Sequence, residues 1–78
     1  MNKERRKRLI EITNKLEELR DEIEEIKGEE EDAYDNLPDG IKESERGEEM
    51  SEFVSQLEEV YDSIDNEVIS TLNEIAYS

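Results

Sequence analysis

The chain has 78 residues, carries 25 acids against ten Lys and Arg for a formal net charge of −15, and contains neither cysteine nor histidine. That composition excludes disulfides, thiolate or imidazole metal centres, and histidine acid–base chemistry. The length allows one domain, and a small core without staples or metals leans on oligomerisation for stability.

High charge with low hydrophobicity is also the composition of disordered chains. Eighteen of the 78 residues are Leu, Ile, Val or Phe, just above the roughly 20% below which disorder is expected. The spacing of those residues therefore has to decide.

In the first half, Leu9, Ile12, Leu16, Leu19, Ile23 and Ile26 step alternately by three and four. This is a heptad seam with Leu9 at a and Ile12 at d, and it continues through Glu30, Ala33 and Leu37. The spacing predicts one helix over about 2–36, stopped at Leu37-Pro38 because proline disfavours helical geometry at the residue before it. Between residues 9 and 36 only Lys15, Arg20 and Lys27 interrupt the acids, all at e or g positions where they can pair across helices and fix register.

Leu37-Pro38-Asp39-Gly40 has strong turn chemistry, giving a predicted turn over about 37–43. Ser44 is the predicted N-cap of a second helix over about 44–76, with Glu45, Glu48 and Glu49 complementing the positive end of its dipole. Here Met50, Phe53, Leu57, Val60 and Ile64 form an a/d series. Val54, Tyr61, Val68 and Ile75 add a row at intervals of seven, and Ile69, Leu72 and Ala76 widen the stripe.

Folding the chain at Gly40 pairs residues whose numbers sum to roughly 80. Leu9 then meets Leu72, Leu16 meets Ile64, Ile23 meets Leu57, and Ala33 falls opposite Gly47. Every apolar layer is matched, which predicts an all-α, antiparallel two-helix hairpin, coiled-coil-like in packing. A stripe as wide as the second helix's is not filled by one neighbour. Phe53, Val60, Ile69 and Leu72 are the expected dimer or partner interface, and a second copy would complete a four-helix bundle.

Charge is unevenly distributed. Residues 3–8 hold Lys3, Arg5, Arg6, Lys7 and Arg8 against Glu4 alone, while residues 9–78 carry five cations and 24 acids. The basic tip suits either phosphate contact or the negative C-terminal end of the neighbouring helix. The acidic body repels nucleic acid and anionic lipid, so a basic protein surface is the expected partner and direct nucleic-acid binding is not. The expected contact residues are Glu17, Glu18, Asp21, Glu22, Glu24, Glu25, Glu29, Glu31, Asp32, Asp35, Glu48, Glu49 and Glu52, with Tyr34 as an aromatic anchor.

No catalytic constellation emerges. The segment from Asp35 fits an EF-hand loop only at positions 1, 5 and 6. Leu37 stands at position 3, and Arg46 at the position of the bidentate Glu. Without His or Cys no ordinary nucleophile–base pair can be built. The expectation is a non-enzymatic protein with no cofactor, metal or small-molecule ligand. It is also expected to be cytoplasmic, since no apolar run approaches the roughly 18 residues of a membrane span.

The seam run Leu16-Glu17-Glu18-Leu19-Arg20-Asp21-Glu22-Ile23-Glu24-Glu25-Ile26, the turn Asn36-Leu37-Pro38, the following Ser44-Glu45-Arg46 and the series Leu57, Ile64, Leu72 carry a resemblance. Over residues 9–75 the chain resembles short acidic helical-hairpin proteins of bacterial phages and integrated mobile elements, mostly of unassigned function. That resemblance implies a bacterial host cell and an inhibitor of a host defence protein, one that occupies a basic nucleic-acid-binding surface by mimicry. It brings no functional residues with it. Two alternatives stand beside it: a structural adaptor binding through the apolar stripe of the second helix, and a nucleic-acid-binding accessory using the basic tip.

Overall fold

The computed structural model describes residues Met1–Ser78 and is all-helical. It forms an elongated rod of 59 × 16 × 12 Å. Helix α1 spans Lys3–Asp35, and after a corner at Asn36–Pro38 a single helical turn, α2, spans Asp39–Lys42. Helix α3 spans Glu45–Ser63, runs without a break into a π-helical turn over Ile64–Ile69, and continues as α4 over Ser70–Ala76. No helix is long and apolar enough to cross a membrane.

The ends of α1 follow from local chemistry. The Asn2 side chain accepts a hydrogen bond from the Arg5 backbone N–H at 2.8 Å, satisfying one of the helix's free donors. Leu37-Pro38 stops it, and Asn36 closes the last turn through its N–H to the Asp32 carbonyl. Ser44 occupies the N-cap position of α3, but its hydroxyl donates backward to the Ile41 carbonyl and does not cap the helix ahead. The predicted turn over 37–43 is thus itself partly helical.

Gly47 is buried where α3 crosses α2. A Cβ there would lie 2.2 Å from the Lys42 carbonyl oxygen and 2.6 Å from that of Ile41. Glycine is required by this close backbone approach. The expected neighbour was Ala33, which is exposed; the helical turn of α2 supplies the contact instead.

Helix α1 lies against α3, the π turn and α4. Two ion pairs join the halves, Arg20 Nη1 to Asp65 Oδ1 at 2.6 Å and Lys27 to Glu58. Pairing 20 with 65 and 27 with 58 gives a sum of 85 in both cases, against the roughly 80 expected from sequence. Side chains lean toward the N-terminus of their own helix, and on oppositely directed helices that lean moves contacts in this direction.

The side of α1 that meets the second half is rotated from the expected seam. Leu9, Leu16 and Ile23 are half-buried as expected, but their companions are Arg6, Thr13, Arg20, Lys27 and Tyr34. Ile12, Leu19 and Ile26 are exposed, Leu19 at 53% and Ile26 at 54%. The row of e positions replaces the row of d positions. Its polar members fit because Thr13, buried, donates its hydroxyl to the Leu9 carbonyl. Arg20 and Lys27 lay aliphatic stems along the seam and carry their charged ends out to Asp65 and Glu58.

The π turn shifts the second half in the same way. Seven-residue spacing places Val68 and Ile75 in line with Val54 and Tyr61. The π turn spends one extra residue, so the step from Tyr61 to the next inward position is eight. The inward row becomes Val54, Tyr61, Ile69, Ala76, and the two residues at its C-terminal end are the buried apolar core. Ile69, expected on the uncovered face, is only 4% exposed, and Leu72 is half-buried. Val68 and Ile75 take the outward places.

Candidate interaction surfaces

With a little over 100° between successive residues, the two helical halves have distinguishable sides. The Lys27–Glu58 and Arg20–Asp65 pairs mark one broad face of the rod. On it, Glu17, Asp21, Glu24, Glu31 and Asp35 from α1 lie beside Glu48, Glu58, Asp62 and Asp65 from the second half. Arg20 and Lys27 are the cations within it, and both are engaged. Arg20 also hydrogen-bonds Asp21 and stacks 5.6 Å from the Tyr61 ring centre.

Those partners show in the ionisation of the three groups. The Asp21 hydrogen bond leads the factors that hold the Arg20 guanidinium above its ordinary value. Glu58 does the same for the Lys27 ammonium against an opposing effect of burial. Desolvation, followed by the charge of Glu24, pushes the Tyr61 phenol upward.

The expected acidic residues do not form one surface. Glu18, Glu25, Asp32 and Glu52 point away from the partner helix along the two outer edges, by the same helical phase. Glu22, Glu29 and Glu49 flank the opposite broad face. Tyr34 is half-buried, with the Lys42 ammonium 5.6 Å from its ring centre, so it is a covered corner residue and not a free anchor. Asp62 joins the acidic face although it lies beyond the acid-rich stretch that ends at Glu52; the order of acids along the chain does not show which lie side by side across helices.

The opposite broad face is apolar. Ile12, Leu19 and Ile26 line its α1 side, and Phe53, Val60, Val68 and Ile75 line its other side, all exposed. The steps of 7, 8 and 7 in the second row keep one phase because the π turn absorbs the extra residue. Beside Phe53 and Val60, a groove of about 300 Å³ is lined by these two with Glu30, Gln56 and Leu57. Three of these exposed residues, Ile12, Leu19 and Ile26, were expected in the hairpin seam, and only the rotation of α1 reveals them. The signal available in sequence was the row Arg6, Thr13, Arg20, Lys27, Tyr34, whose long or capped side chains can serve as seam residues.

The basic tip makes no ion pair; the three present are Arg20–Asp21, Arg20–Asp65 and Lys27–Glu58. Arg6 Nε is buried without a hydrogen-bond partner, and Lys3, Arg5, Lys7 and Arg8 are exposed. No group of three or more acidic side chains is placed to hold a metal ion. Comparison with known proteins finds no matching family model, no matching curated protein and no matching solved structure.

Proposed function

We propose that the protein is a non-catalytic binding module: an antiparallel two-helix hairpin whose apolar face is closed by a second copy in a four-helix bundle and whose acidic face meets a basic protein surface. The observation that carries this reading is the division of one thin layer into two unlike broad faces. One holds seven exposed large apolar side chains. The other holds rows of carboxylates whose two cations are already paired. Contiguous apolar surface of this kind marks a contact between macromolecules, and rows of carboxylates on a rigid rod steer toward basic grooves. A groove that ordinarily holds nucleic acid has the matching charge, which is the inhibitor reading implied by the resemblance to mobile-element proteins.

Light scattering over a range of protein concentrations tests the first part. A mass of two chains supports self-closure of the apolar face. One chain at every concentration overturns it and favours the adaptor reading, in which a different protein covers Phe53 and Val60. For the acidic face, a partner should lose affinity steeply as ionic strength rises. It should also bind a Glu17→Gln, Glu24→Gln, Glu31→Gln variant poorly. Affinity indifferent to both salt and these substitutions would refute the electrostatic part.

A further inference from the structure

The flank of the apolar face carries more information than its hydrophobicity. Along the α1 edge, at intervals of seven, stand Arg8, Lys15, Glu22 and Glu29: two cations followed by two acids. Just inside them stand Ile12, Leu19 and Ile26, centred on Leu19. We infer that a second copy covers this face about a two-fold axis perpendicular to the rod near Leu19, so that α1 runs antiparallel to the partner's α1 and the corners lie at opposite ends. The inference rests on the self-association reading above and specifies its geometry.

Three observations converge on it. The axis sets Leu19 against its own counterpart and Ile12 against Ile26 of the partner subunit. It also brings Arg8 to the partner's Glu29 and Lys15 to the partner's Glu22. Each contact then occurs twice, as a self-complementary interface requires.

The second half obeys the same operation. Reversal about residue 64 pairs Phe53 with the partner's Ile75 and Val60 with the partner's Val68. By the register of the Arg20–Asp65 and Lys27–Glu58 pairs, residue 64 stands beside residue 21. That is two positions from Leu19, or about 3 Å along the helix.

The exposed area fits as well. The chain exposes 5846 Å² at a mass of 9.2 kDa, where a compact monomer exposes roughly 4,900 Å². The elongated shape thus leaves on the order of 900 Å² beyond a compact fold, enough to supply the ~800 Å² that each partner buries in a standard interface. The competing axis, along the rod, would put both basic tips at one end. It would also face the α1 charges with Gln56, Ser63 and Thr71, leaving them unpaired.

Charge exchange tests the geometry. An Arg8→Glu, Lys15→Glu variant and a Glu22→Lys, Glu29→Lys variant each carry one sign along the flank. Each alone should self-associate about tenfold or more weakly than the natural chain, with helicity retained by circular dichroism. Mixed one to one, they should regain a stable mass of two chains. In an otherwise cysteine-free chain, Leu19→Cys should form a disulfide dimer on mild oxidation, because only this axis brings residue 19 beside itself. Glu18→Cys, on the outer edge, should not. A two-chain mass with neither rescue on mixing nor Leu19→Cys cross-linking overturns the antiparallel axis while leaving self-association intact. One chain at every concentration overturns both.

Discussion

The π turn makes the sharpest claim about stability, because it reverses the roles of two adjacent residues. With a regular heptad, Val68 would face α1 and Ile69 would point outward. With the extra residue absorbed at Ile64–Ile69, Ile69 is 4% exposed and Val68 is 43% exposed. Truncating a buried Ile to Ala costs about 2–5 kcal/mol. In a layer one helix thick, with few neighbours to lose, the lower end applies, about 2–3 kcal/mol.

Val68→Ala removes two methyl groups from a site a little over half buried. At ~0.8 kcal/mol per fully buried group, that costs about 1 kcal/mol or less. A domain of this size has roughly 4–12 kcal/mol in total. Urea unfolding followed by circular dichroism, at concentrations too dilute for self-association, separates the two. With a slope of about 1 kcal/mol/M, Ile69→Ala should lower the midpoint by about 2–3 M and Val68→Ala by about 1 M at most. Should Val68→Ala prove the more costly, the helix is in uninterrupted heptad phase and the assignment of faces beyond residue 63 is wrong.

Other expectations follow from single features. Gly47→Ala forces a Cβ onto the Lys42 and Ile41 carbonyls and should destabilise by about 1–3 kcal/mol. Gly28→Ala meets nothing within 4 Å and should stabilise the middle of α1 by about 0.5–1 kcal/mol; thermal unfolding of the pair gives opposite signs. Asn2→Ala should cost about 1 kcal/mol at the start of α1, seen as faster amide exchange in its first turn. Alkaline pH should weaken the fold. The Lys27 ammonium and the Tyr61 phenol are both raised in the folded state. Their contributions are therefore complete below the ordinary values of about 10.4 and 10 and are lost as pH rises through the folded ones. The melting temperature should be insensitive to these groups near neutrality and fall above about pH 10; a rise there would contradict the assigned partners.

Sequence periodicity located the helices closely: about 2–36 against Lys3–Asp35, and about 44–76 against α3, the π turn and α4 taken together. It also placed Leu9, Leu16 and Ile23 toward the second half, because apolar residues repeating with helical period have few other destinations. Two features were illegible for physical reasons. Counting apolar residues cannot see that Arg20 and Lys27 serve in the seam, since they do so through methylene stems while their charges sit outside it. Nor does a fixed interval of seven register a π turn, whose one-residue excess shifts everything after it by about 100°. Both features exchange apolar residues between the inner side and the open face: Ile69 and Leu72 turn inward, and Ile12, Leu19 and Ile26 turn out.

The corner that joins the two halves also governs how the chain can exchange parts with its copies. Two long helices linked by a soft connection can straighten and trade arms, producing swapped dimers and open-ended chains. Here the connection is not soft. Pro38 opens a closed helical turn, the Ser44 hydroxyl is tied back to the Ile41 carbonyl, and the backbone at Gly47 rests directly on the carbonyls of that turn. Straightening would break all of these at once, so the corner behaves as a fixed elbow and opposes any exchange of arms.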